Sequence, residues 1–71
     1  MHDGNTVGEA LPREMARVRD EVMPAYEAIG VSGAFALALM RTDLDRAARA
    51  LAEGDTIAMI EALASLREYT T

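Results

Sequence analysis

The sequence predicts an all-α protein, a small three-helix unit in which a kinked first helix packs against a tight antiparallel helical hairpin. Three observations predict it. The 71 residues are rich in alanine, the best helix former, and contain only three aromatic side chains. Apolar residues recur at spacings of three and four, the period of a helix face. Residues that cap helices stand where these apolar runs begin and end.

The composition narrows the class of protein further. The chain carries 12 acidic and 7 basic side chains, a net charge of −5, and no cysteine, which excludes disulfides and thiolate metal sites. A chain this short buries only about 60% of the surface that its unfolded form exposes. We therefore expect homodimerisation to complete the fold.

The composition also bears on origin and location. All basic residues are arginine, which together with abundant alanine favours a GC-rich bacterial genome. The absence of cysteine fits a reducing cytoplasm. The longest apolar run, over 29–40, is shorter than the roughly 20 residues of a membrane span, so we expect a soluble cytoplasmic protein with no membrane partner.

The N-terminal half predicts a flexible tail followed by a helix. Residues 1–10 lack periodicity and form the tail, and residues 11–71 form a single helical domain. The first helix spans about 12–29, with a kink near Pro24 because proline removes a backbone donor. Its apolar positions form one stripe: Leu11, Met15, Val18, Val22 and Ile29.

The C-terminal half predicts a helical hairpin. A second helix runs over 33–53 with Ser32 as its N-cap. Gly54 suits the left-handed conformation that ends a helix, and Asp55 suits the N-cap of a third helix over 56–69. Because about two residues separate these helices, they fold back on each other. The apolar arc of the third helix contains Met59, Ile60, Leu63 and Leu66.

The second helix has apolar residues on more than the one side that packs against the core. Phe35 and Leu39 point nearly opposite to the stripe that contains Leu37. Our hypothesis is that this extra face is the interface of a symmetric dimer. In the alternative, the kinked first helix wraps over this end and buries both sides within one chain.

Other side chains complete the set of interface candidates. Met23 falls off the stripe of the first helix, and Arg67 lies inside the apolar arc of the third helix. Arg67 either extends its charge to water or pairs with a carboxylate of a partner chain. The candidates are Phe35, Leu39, Met59, Tyr69, Met23 and Arg67.

The same residues argue against catalysis. His2, the only histidine, lies in the predicted tail, so no histidine of the folded region can activate a serine or threonine. No metal site and no cofactor motif is present, and we predict no catalytic residue, metal or cofactor. The sequence therefore predicts a non-enzymatic helical interaction module that self-associates and binds a protein partner through an apolar helix face, as an accessory, regulatory or inhibitory protein.

Two functions that involve nucleic acid are the alternatives. The hairpin could be a helix-turn-helix-like motif of a dimeric DNA-binding regulator. The acidic chain could also occupy a nucleic-acid-binding surface of another protein. The net charge of −5 opposes direct binding to phosphates, and Arg67 is the only basic residue of the third helix.

Overall fold

The computed structural model describes residues 6–70, and this part of the chain is helical without any strand. Its elements are α1 (Val7–Arg17), a π-helical turn (Val18–Val22), α2 (Met23–Ala28), a 3-10 turn (Gly30–Gly33), α3 (Ala34–Glu53) and α4 (Thr56–Arg67). The first three elements run on without a break as one helix, which we call the long helix (7–28). The predicted all-α class and the three-helix unit are therefore confirmed.

All three helices contribute to one apolar core. The long helix packs against α4 and, at its α2 end, against α3, while α3 and α4 form the hairpin. The fully buried side chains of largest volume are Leu11, Met40, Leu66, Val18 and Val22. Within residues 6–70, no helix has both the length and the apolar content needed to cross a membrane.

The long helix begins earlier than the sequence predicted. Thr6 is its N-cap, and α1 starts at Val7 rather than near Pro12, so residues 7–10 are helical and the rest of the predicted tail, 1–5, lies outside the described residues. The amides of Glu9 and Ala10 donate to the Thr6 carbonyl at 3.1 and 2.9 Å, which closes the first turn. Pro12 interrupts only one bond beyond it, close to the helix start.

The departure from α-helical geometry lies just before Pro24. In the π-helical turn, the amide of Met23 donates to the Val18 carbonyl, five residues back. Proline lacks an N–H and its ring crowds the carbonyl four residues earlier, and the wider turn relieves both problems. Pro24 thus occupies the start of α2, where a missing donor is tolerated.

The two connections confirm one set of capping predictions and correct another. Gly54 is left-handed, with φ of 66°, and the Asp55 carboxylate accepts the Ala58 amide at 3.1 Å, as predicted. Ser32 does not cap α3; it lies in the 3-10 turn, and the N-cap is Gly33. A Cβ at Gly33 would overlap the Tyr26 carbonyl oxygen, because α3 starts very close to α2.

Candidate interaction surface

An apolar ridge lies along the N-terminal end of α3. Val31, Phe35 and Leu39 follow one another at spacings of four and are 93%, 76% and 45% exposed. The same end of the molecule also exposes Ile29. We use the name apolar ridge for Val31, Phe35 and Leu39. Because they stand on one continuous helical stretch, their relative positions are fixed by the backbone.

The packing of α3 explains why the ridge faces solvent. Leu37 and Met40 turn into the core, which places Phe35 and Leu39 on the opposite side of the helix. The long helix does not cover this side, because its α2 end contacts the core only through the half-buried Met23 and Tyr26. The alternative in which the first helix buries both sides of α3 is therefore wrong for the described residues.

The remaining interface candidates are scattered. Met59 is 9% exposed and belongs to the core of the single chain, so it offers little surface to a partner. Met23 is half-buried against the core, and Arg67 is exposed on α4. Tyr69 lies beside Leu39 in a shared groove between α3 and the end of α4. The structure therefore groups Phe35, Leu39 and Tyr69 at one end of the molecule.

A second exposed apolar pair lies on α4 and was not predicted. Ile57 and Ile60 are 71% and 54% exposed. The sequence placed Ile60 in one apolar arc with Met59, Leu63 and Leu66, but only the last three are buried in the core. The signal was the spacing of three between the two isoleucines, which sets them on one side of α4, away from the core positions.

Arg17 links the long helix to the end of α4. Its guanidinium donates to the carbonyl oxygens of Leu66 and Tyr69 at 3.1 and 2.8 Å. Its Nε donates to the Glu14 carboxylate, which fixes the position of the guanidinium. A cation at the C-terminus of a helix satisfies free carbonyls and opposes the negative end of the helix dipole. Arg17 therefore caps a helix to which it does not belong.

Two tyrosines complete the contacts of the C-terminal turn, which we define as residues 66–70. The Tyr69 hydroxyl donates to the Asp43 carboxylate of α3 at 2.5 Å, and the Tyr26 hydroxyl donates to the Thr70 carbonyl at 3.3 Å. Burial, followed by the hydrogen bond and charge of Asp43 and the charge of Glu68, raises the pKa of Tyr69 to about 12. The C-terminal turn thereby contacts all other helices.

The groove between α3 and α4 has mixed charge. Its volume is about 230 Å³, and Arg46, Arg49, Glu53 and Glu61 stand along it. Arg46 pairs with Asp43 at 3.7 Å, and Arg49 pairs with a neighbouring carboxylate at 3.3 Å. Paired cations next to carboxylates do not make an attractive site for phosphate.

Metal-ligating side chains are not grouped in residues 6–70. No set of three or more histidine, cysteine, aspartate or glutamate side chains comes close enough there to hold an ion. His2 lies outside the described residues.

The chain matches no family model, no curated protein and no solved structure.

Proposed function

We propose that this chain is a non-enzymatic helical interaction module, a self-associating accessory or regulatory protein that acts through the apolar ridge. The observation that supports this most directly is the exposure of Phe35, 76%, at the centre of the ridge. Full burial of a side chain of this kind contributes about 1.5–3 kcal/mol. Exposed apolar side chains arranged in a row mark interaction sites more often than isolated ones do.

A second copy of the chain is the first partner that this surface suits. A two-fold axis brings the same patch of two molecules together, so one apolar ridge supplies both halves of the interface. Ala34 and Ala38 are exposed beside the ridge. Their small side chains allow two α3 helices to approach closely, with Phe35 and Leu39 packing between them.

The test is the solution mass of a double variant. We expect the wild-type chain to have about twice the monomer mass of 7.7 kDa by light scattering, at concentrations where Phe35→Glu/Leu39→Glu is monomeric. Ile57→Glu/Ile60→Glu is the matched control, because it adds the same charge at two other exposed apolar residues. This control should remain dimeric.

Two outcomes would contradict the proposal. A wild-type chain that stays monomeric up to millimolar concentration would exclude self-association. A ridge variant that is folded by circular dichroism and still dimeric would place the interface elsewhere.

A gel-shift assay distinguishes this function from DNA binding. We expect no retention of duplex DNA at low salt, because Arg67 shares the exposed side of α4 with Glu61 and Glu68. A shift that weakens steeply with added salt would favour the DNA-binding regulator instead. We also propose a cytoplasmic location, supported by the absence of cysteine.

A further inference from the structure

The helix α2 is weakly anchored compared with the elements around it. None of its six residues is buried, and only Met23 and Tyr26 are half-buried. The π-helical turn immediately before it places Val18 and Val22 fully in the core. Segments with few buried apolar contacts open locally at low free-energy cost. The boundary between a fixed and a loosely held part of the long helix therefore falls at residues 22–24.

The backbone at this boundary is built for bending. The Met23 amide bonds five residues back, to Val18, and Pro24 has no amide hydrogen to donate. The hydrogen-bond ladder that would stiffen an ordinary helix is thus interrupted between the π-helical turn and α2. Single π-helical turns inside helices occur frequently at functional sites.

Tyr26 holds the far side of α2 in place. Its hydroxyl reaches the Thr70 carbonyl at 3.3 Å, in an exposed position. Its own carbonyl oxygen lies against Gly33, at the start of α3. Leu37 stands one helical turn beyond Gly33 on the same side of α3, so α2 also lies over this end of the core.

We propose that α2 is a flap that moves between two pivots, with Tyr26 as its latch. One pivot is the π-helical turn with Pro24, and the other is the left-handed Gly30, with φ of 71°, in the 3-10 turn before α3. Opening exposes the side of α3 that carries Leu37, which is 7% exposed when the flap is closed. The open state therefore presents a second apolar patch, on the side of α3 opposite to the apolar ridge. The opening does not rest on the proposed function, because the apolar ridge is exposed whether the flap is open or closed.

Amide hydrogen exchange of the dilute, full-length chain tests the opening. We expect the exchange rates of the α2 amides to change little with low concentrations of urea, because a local opening exposes little surface. The exchange rates of the amides of 44–51 in α3 should rise with urea, because these amides exchange only when the chain unfolds. Tyr26→Phe removes the latch and should speed α2 exchange about five-fold, the effect of one hydrogen bond.

A pair of proline variants tests the hinge. Pro24→Ala restores an amide donor at the boundary and should slow α2 exchange by at least about ten-fold. Pro12→Ala restores a donor in α1 of the same long helix and should leave α2 exchange unchanged. If Pro24→Ala and Pro12→Ala slow the exchange of the α2 amides equally, both act by stabilising the helix in general, and the hinge is overturned. If the exchange of the α2 amides depends on urea as strongly as that of the amides of 44–51, α2 does not open separately, and the flap is overturned.

Association measurements separate the flap from the proposed function. Because the apolar ridge is exposed with the flap closed and lies on the other side of α3, Pro24→Ala should slow α2 opening and leave dimerisation through the ridge unchanged. Dimerisation weakened by the same factor as the opening would show that the dimer forms through the side under the flap, and would overturn the separation of the two surfaces. A monomeric wild type would refute the proposed self-association, while the exchange data would still decide whether α2 opens.

Discussion

At the scale of single residues, the contacts that join the helices come from side chains that the sequence did not single out. Arg17 and the carbonyls that it caps are 49 and 52 residues apart. No local pattern contains information on such a pair. Gly54 and Asp55, in contrast, were predicted correctly because a left-handed glycine and an N-cap depend only on their neighbours in sequence.

Arg17→Met tests the cap. It keeps much of the aliphatic side chain and removes both hydrogen bonds to the C-terminal turn, so we expect a loss of about 1–2 kcal/mol in the free energy of unfolding by urea. Arg19→Met is the control, because within residues 6–70 Arg19 pairs only with its exposed neighbour Asp20, at 2.8 Å. We expect no measurable change there. Equal effects of the two substitutions would contradict the assigned role of Arg17.

The raised pKa of Tyr69 predicts how the free energy of unfolding changes at alkaline pH. Its pKa of about 12 in the folded chain exceeds the value near 10 of an unfolded tyrosine. The protonated phenol therefore contributes stability that is complete below about pH 10 and is lost as the pH rises toward 12. Asp43, Glu68 and Arg17 are the charged groups that contact or face it.

The measurement is urea unfolding at several values between pH 9 and 12. The free energy of unfolding of the wild type should fall more steeply in this range than that of Tyr69→Phe. If the two curves of the free energy of unfolding against pH run parallel, ionisation of the Tyr69 phenol is not coupled to unfolding.

At the scale of elements, the hairpin of α3 and α4 follows from local periodicity and caps, but the junction of α2 with α3 follows from packing. The sequence placed the N-cap of α3 at Ser32, whereas the close approach of α2 and α3 makes Gly33 the cap. The expected kink at Pro24 takes the form of a π-helical turn, which accommodates the ring and the missing amide of Pro24 while Val18 and Val22 remain in the core.

Gly33→Ala tests this junction. The added Cβ would overlap the Tyr26 carbonyl, so α2 and α3 have to separate, and we expect a loss of about 1–3 kcal/mol in stability. Gly8→Ala is the matched control, because a Cβ at Gly8 in α1 meets no atom within 4 Å. That substitution should raise stability by about 0.5–1 kcal/mol. A neutral Gly33→Ala would show that the helices do not touch here.

At the scale of the whole molecule, the exposed ridge is a consequence of shape. The Cα positions extend over 43 × 22 × 15 Å, so only a single layer of side chains lies between the helices. Three helices in such an arrangement leave the outer side of α3 without a neighbour. The sequence identified Phe35 and Leu39 as surplus apolar residues, but whether the first helix covers them depends on long-range packing, which periodicity does not encode.

The contacts of the C-terminal turn also imply an order in which parts of the chain fold. The hairpin of α3 and α4 closes over Gly54 and Asp55 alone, at little cost in chain entropy. Arg17 reaches its carbonyls only after a loop of about fifty residues has closed. In the folding transition state, native contacts should therefore be formed largely within the hairpin, and docking of the long helix follows on the downhill side of the barrier.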